Sequence, residues 1–181
     1  MHGIILVELK KYIQSKVGPG AWETLLTKSG LSHTAYLATL VYPDEQMVAL
    51  VTAASSLTGR AIPVLLEDFG EFLVPGLIKT YQAFLRPDWR TLDTIEHTEV
   101  NIHKAVRLRN PGASPPALSV TRKGPDEVVI VYDSPRKMCG VAKGIVRGIA
   151  RHYGERVTLS ESTCMHHGDR KCTISVRLVG G

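Results

Sequence analysis

The chain has 181 residues and is 44% hydrophobic, which favours one globular domain with a substantial core. Lys and Arg (22) outnumber Asp and Glu (17), but only 6% of residues are aromatic and no basic run is interleaved with aromatics, which argues against a nucleic-acid partner. No window approaches the roughly 18 to 20 apolar residues of a membrane span, and MHGIILVELKKYIQ has no signal-peptide pattern. Three cysteines are too few for a disulfide framework and predict thiols or metal ligands in a cytoplasmic protein.

The first half of the sequence has the apolar spacing of helices. A helix is predicted from Ile4 to Ile13, and Gly18-Pro19-Gly20 ends that segment. Asp44 stands where an N-cap residue begins a further helix, which Thr58-Gly59-Arg60 ends. The other predicted helices cover residues 20–29, 62–84 (interrupted near Gly70 and Pro75) and 91–108.

The second half is richer in strand-forming residues, separated by turn signals. The predicted elements are strands at 117–121 and 127–132 joined by a hairpin at 122–126, a helix at 136–152, and strands at 156–163 and 171–179 around a tight turn at Gly168-Asp169. The predicted fold class is therefore α+β, a helical N-terminal half followed by an antiparallel sheet with an intervening helix in the order ββαββ.

The stretch VYDSPRKMCG carries the first candidate binding site. Tyr132, Ser134 and Arg136 occupy alternate positions, so a continuing strand would point a phenol, a hydroxyl and a guanidinium to one face. A guanidinium matches a carboxylate, and the two hydroxyls add donors. This set suits a ligand with one or two carboxylates, although alternating polar residues also mark the solvent-facing side of many strands.

His103 is a candidate metal ligand on the predicted helix 91–108, where it shares a face with Val100 and with either Val106 or Arg107. A packed core histidine is the ordinary alternative for such a position. His97 is a competitor, but its polar neighbours favour a more hydrated location.

A third group of residues has the composition of a zinc site, which is usually tetrahedral with Cys and His ligands. Two of its cysteines flank the Gly-Asp turn, and the third begins the intervening helix. Three reduced cysteines in the core are the alternative. The candidate ligands are Cys139, Cys164 and Cys172, with Glu161, His166 or His167 as the fourth.

Catalytic signatures are missing from the sequence: it has no G-x-S-x-G, phosphate-binding loop, dinucleotide-binding glycine motif or H-E-x-x-H. We therefore expect no enzyme activity. A small metalloenzyme built on the Cys/His cluster would need a general base, for which Asp169 is the one candidate.

Taken together, His103, Pro116, Gly70, the opening MHGIIL and Tyr132-x-Ser134-x-Arg136 resemble the H-NOX family, the haem nitric-oxide/oxygen binding domains of soluble guanylate cyclase and of bacterial stand-alone relatives. The resemblance covers residues 1–179 as one domain, with a helical subdomain over about 1–65 and haem-cradling helices and sheet over about 66–179. It implies haem b buried between the helical and sheet-containing parts.

The resemblance assigns a role to each group. It implies that His103 is the proximal iron ligand, and that Tyr132, Ser134 and Arg136 bind the haem propionates. Pro116 matches the proline that packs on the porphyrin and distorts it. The implied apolar pocket consists of Ile5, Leu73, Leu77, Val141 and Ile145.

The distal side of the pocket decides which gas is favoured. Oxygen-binding relatives carry a tyrosine where this chain has Val141, and the neighbouring candidates Leu9 and Leu73 are also apolar. The resemblance therefore implies binding of nitric oxide, and also CO, at ferrous iron with discrimination against O2. The alternative left open is a hydrogen bond to bound O2 from another part of the chain, with Tyr81 or Trp22 as the donor.

Signalling is expected to follow from NO weakening the bond between iron and His103, so that the helix carrying His103 moves and a separate partner responds. The resemblance implies a histidine kinase or a cyclic-di-GMP enzyme as that partner. It also matches the three cysteines to a zinc site of some relatives, whose usual histidine is replaced by Glu161 here. The alternative function is a cysteine/zinc redox switch or adaptor without functional haem.

Overall fold

Helices form most of the first 110 residues of the computed structural model, which describes residues 1–180. The helices are α1 (Gly3–Val17), α2 (Ala21–Lys28), α3 (Asp44–Thr58), α4 (Ile62–Tyr81), α5 (Thr91–His97) and α6 (Lys104–Arg109). A short 3-10 turn, Gln82–Phe84, follows α4, and a π-helical segment, Thr98–His103, joins α5 to α6.

These helices differ from the prediction in α3, in α4 and within residues 91–108, where the π segment interrupts the predicted helix. Pro43 rather than Asp44 holds the N-cap position of α3, and the Asp44 side chain makes no cap because its carboxylate binds the Met1 ammonium and Arg136. Helix α4 continues through Gly70 and Pro75 without a break, because it packs along α7 on one side.

The second half contains β1 (Ala117–Arg122), β2 (Glu127–Asp133), α7 (Cys139–His152), β3 (Val157–Thr163) and β4 (Cys172–Leu178). The strands form one antiparallel sheet in the order β1-β2-β4-β3, with α7 crossing from β2 to β3. The α+β class and the ββαββ order are confirmed. The β3–β4 connection is longer than the predicted tight turn, since it contains a 3-10 turn, Met165–His167.

The buried side chains form two large clusters that meet along α4. One cluster joins α1, α2 and α3 to α4 as far as Leu73, and the second joins α4 from Val74 onward to α5, α7 and the inner face of the sheet. On β2, Val128, Ile130 and Tyr132 are buried while the residues between them are partly exposed, which is the period-two pattern of a strand with one face in the core.

Glycines let α4 and α7 approach each other closely. A Cβ atom on Gly144 would collide with the Glu67 carbonyl oxygen, and one on Gly70 would collide with the Val141 carbonyl oxygen. Because both obstacles are backbone atoms of packed helices, neither can move aside cheaply. Gly70 therefore serves helix packing rather than interrupting α4.

Within residues 1–180, no single helix is both long and apolar enough to span a membrane. The segments Asp44–Thr58 and Ile62–Phe84 meet that criterion only as a pair, bent by 108°.

We predict that Gly144→Ala lowers the free energy of unfolding by about 2 kcal/mol. The added methyl group overpacks the α4–α7 contact, and the free energy that this costs exceeds the free energy gained from the higher helix propensity of alanine. Urea unfolding followed by circular dichroism measures the change. Gly124→Ala is the control, since its Cβ would meet its nearest atom, Asp126 Oδ1, at 3.6 Å. Equal stability of the two variants would contradict the close-contact interpretation.

Candidate functional site

A cavity of about 230 Å³ lies where α1, α4, α7, the π segment and β2 converge. Most of its wall is aliphatic, and all the residues predicted for an apolar pocket line it: Ile5, Leu73, Leu77, Pro116, Val141 and Ile145. Leu9 is buried in the helical core and is not among the lining residues. An apolar slot of this kind suits a flat, largely hydrophobic ligand.

His103 lies on the wall of this cavity, at the end of the π segment, with its side chain 15% exposed. Burial lowers the pKa of His103, and its hydrogen bond with Glu99 opposes that shift only in part. A neutral imidazole at neutral pH has a lone pair available for a metal. His97 is not part of the wall, because its ring stacks on Trp89 with a centroid separation of 4.5 Å.

Three donors meet at the polar end of the cavity, as their spacing suggested, but a turn rather than a continuing strand brings them together. β2 ends at Asp133, because Pro135 has no N–H to continue the ladder. Tyr132 and Ser134 are each only 3% exposed, and both line the cavity together with Arg136.

Asp44 holds the Arg136 guanidinium in place. Arg136 Nε lies 2.8 Å from Asp44 Oδ1, and the same oxygen accepts a hydrogen bond of 2.6 Å from the Met1 ammonium. Burial alone would raise the pKa of the Asp44 carboxyl, but the donors and charges of Arg136 and the ammonium outweigh it and lower the pKa. A carboxylate that fixes the arginine leaves the guanidinium positioned beside the cavity.

The three cysteines meet at the far side of Tyr132. Cys139 Sγ and Cys172 Sγ each lie 3.9 Å from Cys164 Sγ, and a Glu161 carboxylate oxygen completes a group whose ligand atoms all fall within 4.8 Å of one another. Tetrahedral zinc with bonds of about 2.3 Å to sulfur places its thiolates roughly 3.8 Å apart. The spacing of the sulfur atoms therefore matches a zinc site.

The histidines considered as a fourth ligand do not join this group. His166 is exposed, and its Nε2 lies 2.6 Å from the Lys137 carbonyl oxygen; His167 is exposed as well. Glu161 Oε1, by contrast, is shielded from solvent without a hydrogen-bond partner among residues 1–180. Asp169 is not a free base either, since its Oδ2 accepts a 2.8 Å hydrogen bond from the Cys164 backbone N–H.

Comparison with known proteins identifies the family. A family model described as Haem-NO-binding matches residues 2–161. The chain belongs to the Haem-NO-binding family. The resemblance to H-NOX domains is therefore confirmed, and the fold is that of a haem-based gas-sensor family.

The relatives agree with this assignment. Soluble guanylate cyclase 89Da of Drosophila melanogaster is 24% identical over 157 residues, which are 84% of this chain but only 23% of that protein. An H-NOX protein from S. oneidensis, solved in the Fe(II)NO state, has a TM-score of 0.93 at 24% identity and covers 99% of this chain and 100% of its own. Unliganded Fe(II) H-NOX from K. algicida has a TM-score of 0.89 at 21% identity, covering 100% of this chain and 98% of its own.

The donor set of this H-NOX chain fits a haem. An imidazole nitrogen suits iron, the aliphatic wall suits the porphyrin faces, and the guanidinium with two buried hydroxyls suits the propionates. The Tyr132 hydroxyl is hydrogen-bonded to Ser134 and to the Met138 backbone, and Ser134 Oγ accepts a hydrogen bond from the Arg136 backbone N–H, so the three residues form one connected polar group.

Sequence reasoning missed three residues of this H-NOX site. The sequence pattern predicts only a helix-capping role for Asp44, although this residue binds Arg136 from 92 positions away in the chain. Glu99 hydrogen-bonds to His103, and its i,i+4 spacing was a signal that could have found it. His2 lines the cavity, and its Nε2 is shielded without a partner among the described residues.

We predict that Asp44→Asn lowers the free energy of unfolding at pH 7 by no more than about 1 kcal/mol, because the carboxylate is partly exposed. The native pKa of Asp44 is depressed, so its contribution is present above the ordinary value of 3.8 and is lost as pH falls through the native pKa. Urea unfolding of both proteins at pH 7 and near pH 3 tests this. A difference that grows toward acid would contradict the ion-pair assignment.

Proposed function

We propose that this protein is a haem-based sensor of nitric oxide that discriminates against O2 and is not an enzyme. The observation that carries the proposal is the composition of one cavity, which combines His103, the three donors at its polar end and an otherwise aliphatic wall. Iron in haem b, when bound, supplies the site for the gas. The domain assigned to this function is residues 1–179.

The residues of the chain divide the work of holding such a cofactor. His103 would hold the iron through Nε2, while its Nδ1 is engaged by Glu99. Tyr132, Ser134 and Arg136 orient the carboxylates at the polar end. Pro116 lines the cavity, where its rigid ring would pack against the porphyrin.

Selectivity follows from the wall around Val141. Bound O2 carries partial negative charge and gains from a hydrogen-bond donor, whereas NO depends little on one. Val141, Leu73, Leu77 and Ile145 supply no donor. Trp22 is buried in the helical core and does not line the cavity, but Tyr81 and His2 do.

Displacement of the His103 side chain is proposed to transmit the signal. Glu99 joins His103 to Arg107 of α6 and to the Leu118 backbone of β1, so displacement of the imidazole disturbs both elements. A separate protein reads the altered surface. A histidine kinase or a cyclic-di-GMP enzyme stays our predicted class of partner, and a cytoplasmic location stays a prediction.

An absorption spectrum of the purified, reduced protein tests the sensor proposal. We expect a Soret band that is unchanged by O2 and shifts with NO and with CO. Val141→Tyr should add a distal donor and give a stable O2 complex, while the size-matched Val141→Phe should not. No Soret band after haem reconstitution would overturn the proposal and favour the cysteine/zinc switch.

If the unsubstituted protein instead forms a stable O2 complex, an existing side chain must provide the donor. Tyr81→Phe and His2→Leu then identify it, because each removes one polar group of the cavity wall with little change in volume. If both variants still form the O2 complex, the proposal that the protein discriminates against O2 is wrong, and neither Tyr81 nor His2 is the donor.

We also propose that zinc binds Cys139, Cys164 and Cys172 with Glu161 as the fourth ligand. The observation in favour is the unpartnered Glu161 Oε1 beside three closely spaced sulfur atoms. Burial and the neighbouring thiols raise the pKa of Cys139 to about 12, so metal binding must displace protons. A redox role would follow from oxidation of the thiolates.

The zinc proposal predicts one zinc per chain by elemental analysis and an affinity that rises with pH. Competition with a chromophoric chelator at pH 6.5 and pH 8 measures this. Glu161→Ala should weaken binding roughly 10- to 100-fold, whereas His166→Ala should leave it unchanged. An unaltered affinity for Glu161→Ala would contradict the assignment of the fourth ligand.

A further inference from the structure

Glu99 is the one carboxylate that contacts His103 among residues 1–180. Its Oε2 lies 3.0 Å from His103 Nδ1 and also accepts a 3.1 Å hydrogen bond from the Leu118 backbone N–H. Its other oxygen, Oε1, accepts a 2.7 Å hydrogen bond from Arg107 Nη1. Both oxygens are therefore engaged, and the carboxylate is held in one orientation by three donors on separate elements.

The spacing of the two residues along the helix explains this contact. Glu99 and His103 are both in Thr98–His103, four positions apart, so their side chains lie on the same face of the helix, and His103 lines the cavity. Burial would raise the pKa of Glu99, but the donors from Arg107, His103 and Leu118 outweigh it and lower the pKa. With three N–H donors directed at its two oxygens, Glu99 acts as a hydrogen-bond acceptor toward His103.

An ionised acceptor on Nδ1 has two chemical consequences for a histidine. It fixes the tautomer with the proton on Nδ1, which leaves the Nε2 lone pair free for a metal. It also raises the basicity of Nε2, because negative charge beside the N–H bond pushes electron density into the ring. A more basic axial ligand stabilises ferric over ferrous iron.

We propose that Glu99 is a positioning residue that sets the basicity and tautomer of His103, with Arg107 moderating its charge. This inference rests on the proposed function, since it concerns His103 as an axial ligand of haem. Arg107 donates a hydrogen bond to Oε1 of the same carboxylate and partly neutralises its charge. Removal of the arginine therefore increases the negative charge that the imidazole experiences. Glu99 therefore raises the basicity of His103 Nε2, and Arg107 lowers it.

Substitutions of Glu99 and Arg107 should shift the haem midpoint potential in opposite directions, which a purely structural role for Glu99 does not predict. Glu99→Gln keeps an acceptor for His103 but removes the charge, so it should raise the haem midpoint potential and lower the iron–histidine stretching frequency. Arg107→Gln should lower the potential and raise the frequency. We expect about a tenfold change in the ferric/ferrous equilibrium for Glu99→Gln, or 59 mV for a one-electron couple.

Arg109→Gln is the matched control. Arg109 lies on the same helix, α6, and its guanidinium stacks over Phe84 at 4.9 Å rather than contacting Glu99. It therefore carries the same change of charge without the hydrogen bond. Spectroelectrochemistry and resonance Raman spectroscopy of the haem-loaded proteins provide both readouts. Shifts of the same sign in Glu99→Gln and Arg107→Gln, or shifts no larger than in Arg109→Gln, would overturn the proposal.

A second measurement does not depend on haem. In the haem-free protein, nitrogen-15 NMR of the imidazole should show His103 in the Nδ1–H tautomer, and Glu99→Leu should give a mixture of tautomers. A mixture in the unsubstituted protein would overturn the role of Glu99. If the protein does not load haem but His103 is fixed in the Nδ1–H tautomer, the proposed haem-sensor function is wrong. The role of Glu99 in fixing the tautomer is then still supported.

Discussion

The close approach of α4 and α7 is the constraint on which the cavity depends. Gly70 and Gly144 allow backbone to pack against backbone, which places side chains near the crossing on both helices at the cavity wall. Leu73 and Leu77 of α4 then face the same space as Val141 and Ile145 of α7. A bulkier residue at the crossing would separate the helices and change the width of the slot that these four side chains define.

The polar end of the cavity and the cysteine group share one strand pair. Tyr132 of β2 is paired with Cys172 of β4, and Tyr132 packs in one buried cluster with all three cysteines. Helix α7 begins at Cys139, only three residues after Arg136. The thiols are therefore packed directly against a tyrosine that lines the cavity, and they lie next to the turn that carries the arginine.

Local patterns in the sequence predicted the elements of the sheet and the candidate ligands, because strand alternation, turn residues and His or Cys identity are local signals. The π segment was not predicted, since an i→i+5 register leaves no mark in composition. Asp44 illustrates a second limit: residues that stabilise helix starts also form long-range ion pairs, and only tertiary structure decides between the two. The fourth ligand of the cysteine group is open for the same reason, because the sequence does not show which of Glu161, His166 and His167 lies beside the three sulfur atoms.

Glu99 connects the predicted ligand to the rest of the molecule. A histidine held only by packing could tilt without consequence beyond its own helix. His103 instead shares a carboxylate with α6 and with the backbone of β1, and Leu118 lies two residues beyond Pro116 of the cavity wall. The same hydrogen bonds that hold the imidazole thus tie its position to β1, the strand at one edge of the sheet.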